Sequence, residues 1–471
     1  MLRRLLDSPW TYFGLAGVLF IALLVTQFEI KLPPRPKGTA DDIRSLAARD
    51  DINVVFILID TLRADRLSSY GYERPTSPAM DYLANTGVRF ERAISQSSWT
   101  KASMASLWTS TWPNRNGVMR WSHALPDAAV MPAELLQQAG FQTAGIWRNG
   151  WVAPNFGFNQ GWDTYVKPAP SQSPEKFQKR TPSASAVTGT DEDLTRAAIE
   201  FLKAYGHKRF FLYVHYMDVH QYAYDEASAK FGTSYSDVYD NAINWVDRNV
   251  GALVGELQNR DLARRTILVV SADHGESFLE HGLEGHAKTL YREVAEVPLI
   301  FSLPFELNPG IVVPNVVANV DIWPTIFDLL GIPPVPDTDG QSLVPLMLAA
   351  ARGEKVELDR PVFAEIDRTW GRPSGDPDPL VAITEGPIRA FQPVAEAKRG
   401  EVEIYDHTDD PREARNLAQP GPDGVRRLPE PIEAAVQAYL AMPPAAWGAP
   451  SDVELDEMEL HQLKALGYVV Q

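Results

Sequence analysis

Three strongly apolar runs of this chain each stop on residues able to hold a cation. Asp60 closes residues 53–60, Asp218 closes residues 210–218, and Asp273 with His274 closes residues 266–274. A lone aspartate at such a place also reads as a turn residue or a helix cap. Its repetition on three separate runs points to a site instead. Buried together, these carboxylates require a neutralising cation. Aspartate oxygens mixed with imidazole suit Zn, Mn or Mg better than the all-oxygen cage of Ca. Thr100 belongs to the same chemistry. Residues 98–107 read as a turn leading into a helix, with Thr100 at or just before its amino terminus. Free amide donors there favour an anion or a hydroxyl losing its proton, and coordination to a divalent cation activates a hydroxyl as a nucleophile. The competing reading of Thr100 is an ordinary N-cap threonine.

The elements that must position these residues are legible too. Runs rich in Val and Ile and bounded by polar residues predict strands buried on both faces, as in a parallel sheet. Ligands of such sheets bind outside the carboxyl ends of the strands, where the acids converge. Residues 141–147 and 297–301 supply further strands, and residues 193–205 and 235–257 carry helical periods. The pattern predicts an α/β sandwich with a mostly parallel central sheet. Residues 171–189, rich in Ser, Pro, Thr and Lys, read as a surface loop. Trp108, Trp112, Trp121 and Trp147 read as core or pocket wall, residues 321–330 as a packing helix, and residues 454–466 as an amphipathic helix with a solvated acidic face.

At 471 residues and 45% hydrophobic content the chain suffices for a large core and a smaller appendage. A formal charge of -17 argues against nucleic acid as a partner. The absence of cysteine excludes disulfides, thiolate metal sites and a cysteine nucleophile. Residues 1–9 read as a cytoplasmic segment and residues 10–30 as an uncleaved transmembrane anchor, because the uncharged stretch from Trp10 to Phe28 approaches the ~20 residues a spanning helix needs. No small-residue cleavage pattern follows it. Residues 31–51 then read as a linker whose residues 32–38 are a short, stiff, Pro-rich spacer, residues 52–355 as the main domain and residues 356–471 as a small α+β subdomain. A single pass would place the main domain on the periplasmic or extracellular side of the inner or plasma membrane.

Several ordered motifs carry a family resemblance. Residues 53–72 with Pro75-Thr76-Ser77-Pro78, residues 98–107 and 211–220, Asp273-His274-Gly275-Glu276, residues 280–286 and Lys288-Thr289-Leu290-Tyr291 resemble the sulfatase family of the alkaline phosphatase superfamily. Glu403-Ile404-Tyr405-Asp406 and Asp410-Pro411-Arg412-Glu413 resemble its small carboxyl-terminal domain, so the likeness spans roughly residues 52–470. The resemblance implies metal ligation by Asp60, Asp273 and His274 and a nucleophile at Thr100. It implies that His220 contacts the substrate anion or leaving group, and that His286 stands where sulfatases put a lysine and two-metal relatives a zinc-binding histidine. Asp218 would then join His286 in a second metal site. Lys288, Arg148 and Lys101 are candidate anion clamps, with a solvated surface charge as the competing reading of each, and His281 stands open between substrate contact and structural hydrogen bonding.

The sequence departs from the family where the chemistry is done. Sulfatases convert a Cys or Ser to formylglycine, whereas Thr100-Lys101-Ala102-Ser103-Met104 offers a threonine and has Met104 in place of the family's arginine. Formylglycine is therefore not expected. Thr61 replaces the second of two adjacent aspartates, which removes a charged ligand and weakens the case for Ca. Threonine nucleophiles are typical of phosphoryl-transferring relatives, including transferases acting on lipid-linked phosphates. The expected function is a membrane-anchored, metal-dependent hydrolase or group transferase acting on an anionic, lipid- or glycan-linked ester, with phosphate favoured. A sulfatase working without formylglycine and a catalytically silent tethered binding protein are the alternatives.

Overall fold

The computed structural model describes residues 35–171, 189–356, 360–369 and 376–455. Eight strands form the central sheet: β1 (Asn53–Ile59), β2 (Val88–Ile94), β3 (Gln142–Ile146), β4 (Thr164–Val166), β5 (Phe210–Tyr216), β6 (Thr266–Ser271), β7 (Glu296–Ser302) and β8 (Ile311–Ala318). Their spatial order is β8-β2-β7-β6-β1-β5-β3-β4. Every residue of β1, β5, β6 and β7 is buried, as strands covered on both faces require. The predicted strand at 297–301 is present as β7, but it runs antiparallel to both of its neighbours. Antiparallel neighbours need no crossover helix, and the β6–β7 connection is free to carry a long loop that includes His274 and His286.

Alternation along β5 shows how the sheet is covered. Phe211 and Tyr213 pack on Trp108 of the Thr100–Thr109 helix and, for Phe211, on Trp323 of the Ile322–Leu330 helix. On the opposite face the Tyr216 hydroxyl lies 2.7 Å from that of Thr195 in the Asp191–Tyr205 helix. Trp108 and Trp323 stack 5.1 Å apart in the core, so both are structural as expected. The long Tyr235–Asn259 helix packs beside Asp191–Tyr205.

Downstream, four antiparallel strands, Val362–Asp367, Pro379–Glu385, Ile388–Pro393 and Glu403–Asp406, form a second sheet that shares a core with the Glu430–Leu440 helix through Phe363 and Tyr439. Trp112 packs on Phe363 in this second core. Ser451–Asp452 then returns to pair with His123–Ala124.

The predicted linker differs from expectation over its described part. Arg35 is buried, with one guanidinium nitrogen donating to Ser302 Oγ and Leu303 O and the other to Thr86 Oγ1. Burying that charge is tolerable only with such partners, so the chain is docked from residue 35 onward. Among the described residues no helix is long and apolar enough to cross a membrane. The expected anchor at 10–30, residues 172–188 of the expected loop and residues 456–466 of the expected last helix lie outside the described residues.

Candidate active site

The carboxyl ends of β1 and β6 lie side by side because these strands pair in parallel, Leu58 opposite Ser271. Asp60 and the Asp273-His274 pair therefore emerge together. Their ligand atoms all lie within 4.8 Å of one another, and all three residues are fully buried. Thr100 is the first residue of its helix, as predicted, with Trp99 as the N-cap. Its hydroxyl lies 3.2 Å from His274 Nε2. His274 Nδ1 faces Gly275 O at 2.9 Å, an acceptor, so Nδ1 carries the ring proton and the Nε2 lone pair faces Thr100. Ser103 Oγ donates to Asp273 O at 2.6 Å and ties the helix to the end of β6.

These groups fit a divalent cation. Asp60 Oδ1, Asp273 Oδ2 and His220 Nε2 are buried without a hydrogen-bond partner, a costly state for polar atoms that a ligand would relieve. Burial and the charge of Asp60 push the Asp273 carboxyl above its ordinary range. Burial opposes ionisation of Asp60 as well, but the neighbouring His220, His215 and His274 outweigh it and hold Asp60 low. The donors present are two carboxylates, one imidazole and one hydroxyl, the mixture that suits Zn, Mn or Mg.

Thr61 contributes backbone instead of side chain. It adopts φ 61°, unusual for a β-branched residue. In that conformation its amide donates to Asp273 Oδ1 at 3.2 Å, and its hydroxyl turns back onto Asp60 O at 2.7 Å. Strain of this kind persists where the surroundings over-determine it; here Tyr239 also donates to Thr61 O at 2.6 Å.

Two further imidazoles complete the cluster. The rings of His274 and His286 lie 4.5 Å apart and those of His220 and His286 5.1 Å apart. Glu276 Oε1 accepts from His286 Nδ1 at 3.0 Å and orients that ring. Burial pushes His220 down to about 4, with Asp60 only partly opposing it.

Several expected site residues are placed elsewhere. Asp218 is committed to protein partners. Its Oδ1 accepts from Arg148 at 2.7 Å, and its Oδ2 from Asp191 N and Trp245 Nε1 at 2.7 and 2.8 Å. No oxygen remains for a second cation, and Asp218 is a structural residue rather than a metal ligand. Arg148 is buried between Asp218 and Asp191 and is not an anion clamp. Lys101 is buried under Trp99, Trp151 and Phe156 with its ammonium directed at Trp121 O, and burial holds its pKa far below the usual lysine range. His281 bridges Glu293 and Glu413 O at 2.8 and 3.0 Å and stacks on Tyr291, a brace between the site loop and the small domain. Lys288 is exposed, donating to Glu284 O, and stands two residues beyond His286.

Sequence reasoning missed two buried residues that touch the cluster. His215 Nε2 lies 3.2 Å from Asp60 Oδ2, and the Tyr213 hydroxyl lies 2.7 Å from its Nδ1. Asn149 Nδ2 lies 2.5 Å from the same Asp60 oxygen. The available signal was a polar residue facing inward near the end of a buried strand, and for Asn149 its place just past the apolar run at 141–147.

Comparison with known proteins agrees with this architecture. Residues 52–332 match the family model described as Sulfatase. The chain belongs to the sulfatase family, and with it to the enzymes that hydrolyse esters. N-acetylgalactosamine-6-sulfatase of Rattus norvegicus is 26% identical over 390 residues, covering 72% of this chain and 71% of that protein. Arylsulfatase K of Homo sapiens is 37% identical over 108 residues, 23% of this chain and 20% of that protein. Among solved structures, the phosphonate monoester hydrolase of Agrobacterium radiobacter superposes with a TM-score of 0.62 at 18% identity, covering 78% of this chain and 91% of that one. A protein solved with its substrate D-glucosamine-2-N,6-O-disulfate gives 0.60 at 21% identity, covering 83% and 96%. At these identities the structural likeness speaks for the fold alone.

Proposed function

We propose that this sulfatase-family hydrolase cleaves phosphate or sulfate esters with Thr100 as nucleophile, phosphate being favoured because threonine does not become formylglycine. The observation that carries the reading is the Thr100 hydroxyl beside the His274 Nε2 lone pair, next to two buried carboxylate oxygens without partners. Asp60, Asp273, His274 and Thr100 would hold a divalent cation, Zn, Mn or Mg, which supplies Lewis acidity and lowers the hydroxyl pKa.

The chain's own residues supply the rest. The helix that begins at Thr100 directs free amides at the place where charge develops on the equatorial oxygens. Thr100 releases its hydroxyl proton to water, its Oγ attacks the tetrahedral phosphorus or sulfur, the bond to the leaving oxygen breaks, and His220 or His286 protonates the departing alcohol. Water, or an acceptor hydroxyl in a transferase, then attacks the Thr100 ester in line and releases the group. Lys288, exposed and two residues beyond His286 in sequence, is the remaining candidate anion clamp.

The substrate class follows from the same site. The relatives named as sulfatases, the neighbour solved with a disulfated glucosamine and the neighbour that is a phosphonate monoester hydrolase all handle tetrahedral anions. An anionic ester on a glycan or lipid carrier fits, and an anchor at residues 10–30 would bring the enzyme to such carriers at the outer face of the inner or plasma membrane. A reporter fused after Gln471 that works only in the cytoplasm overturns that placement. The deciding assay is metal analysis followed by turnover of nitrophenyl sulfate, phosphate monoester and phosphate diester. Diester or monoester turnover above sulfate supports the phosphate reading; the reverse order makes the protein a sulfatase without formylglycine.

A further inference from the structure

Asn149 follows β3 by three residues and is almost fully buried, at 1% exposure. Its amide has one acceptor and one donor end, and the structure decides which faces the site. The oxygen accepts the Trp151 N–H at 2.8 Å and caps the Gly150–Val152 turn. The NH2 is thereby turned toward Asp60 and Thr100. It lies 2.5 Å from Asp60 Oδ2 and 3.4 Å from Thr100 Oγ1. A single NH2 group with two hydrogens thus faces both the carboxylate and the hydroxyl of the proposed centre. The neighbouring Arg148 is locked to Asp191 and Asp218, which holds this segment in place.

The consequence concerns the other oxygen of Asp60. Asn149 and His215 both take Oδ2, and Oδ1 is the atom left buried without a partner. A neutral amide does this without adding positive charge, so it fixes the carboxylate without competing with a cation for it. A lysine or arginine in its place would form an ion pair with the ligand.

We propose that Asn149 is a positioning residue that presents Asp60 Oδ1 to the cation and holds the Thr100 hydroxyl in its attacking orientation. This rests on reading Thr100 as the nucleophile. Groups that orient ligating side chains from outside the coordination sphere change metal affinity by about 10- to 100-fold when removed.

The test separates the donor from the cap. Asn149→Ser keeps a side-chain oxygen suited to capping Trp151 and removes the NH2 without adding charge. Two quantities are read on the full chain: the Mn2+ or Zn2+ concentration giving half of the cation-induced rise in melting temperature, and kcat with KM on the best ester of the panel. The expected result is a midpoint raised about 10-fold or more and kcat lowered about 100-fold, with KM little changed. A midpoint and kcat both within about twofold of wild type overturn the proposal, since a purely capping role predicts that outcome. A raised midpoint with unchanged kcat overturns the Thr100 half of it. Should Asn149→Ser fail to fold, Asn149→Asp keeps the capping oxygen and cannot donate; wild-type kcat there overturns the proposal. Thr100→Ala with full activity would sink the nucleophile reading separately, and the cation midpoint of Asn149→Ser would still judge the Asp60 half.

Discussion

Two pairs of buried aspartates lie near the carboxyl edge of the same sheet and are treated in opposite ways. Asp191 and Asp218 share the Arg148 guanidinium, and both oxygens of Asp218 receive donors. Among the described residues Asp60 and Asp273 pair with histidines and with no Arg or Lys, and each keeps one oxygen without a hydrogen bond. Arg148 meets the first pair's need within the chain. The second pair is built to be completed from outside, because two buried carboxylates repel until a cation joins them. The difference separates a structural knot from the proposed cation centre, although both are made of strand-end and helix-start aspartates.

The largest effect that could break this comparison is on chemistry. Thr100→Ala should lower turnover at least about 1,000-fold; full activity would remove Thr100 from the reaction. Next in size is stability at the knot. Asp218→Asn leaves Arg148 paired with Asp191 but turns an NH2 toward donors that Asp218 accepts from, and should cost about 1–3 kcal/mol in denaturant unfolding, with no dependence on added cation. A cation-sensitive loss would instead return Asp218 to the metal site.

At the proposed cation centre the sign reverses. Burial and Asp60 raise the Asp273 pKa, so its charge opposes folding without a cation. Asp273→Asn should raise the melting temperature in chelator and abolish the cation-induced rise, which in wild type corresponds to about 2.7 kcal/mol at a cation concentration 100 times Kd. Persistence of that rise in the variant would refute the ligand set.

The smallest effect lies in the brace between the domains. Burial opposes the His281 charge, but Glu293 outweighs it and raises the pKa to about 9. A raised folded-state pKa means that this stabilisation is complete below the ordinary histidine value near 6.5 and is lost as pH rises through about 9. Thermal unfolding followed from pH 6 to 9.5 should show the decline, and His281→Gln should flatten it. An unchanged slope would show that the ring does not titrate with folding.

Much of the site was legible because it obeys a one-dimensional rule. Asp60, Asp273 and His274 end buried parallel strands, and strand direction alone brings such ends to one edge. Thr100 was legible as the residue opening a helix. The same rule misjudged Asp218 and Arg148, which pair with each other across 70 positions of sequence. Lys101 was misjudged as well, since its type suggests exposure or contact with an anion but its surroundings are rings, whereas for His281 the structure selects hydrogen bonding over substrate contact. Asn149 and His215 escaped notice because a neutral polar residue near a strand end has many uses, and only its partners reveal which one applies.

What the sequence determined by itself was the family, the parallel sheet and a threonine opening the helix at residue 100, since each rests on residue types and local period. The tertiary structure alone decided which aspartates remain unneutralised, where β7 reverses and which end of the Asn149 amide faces Thr100. Those outcomes depend on hydrogen-bond and ion-pair partners distant in sequence, and a buried polar group acquires its role only from the partners that folding brings to it.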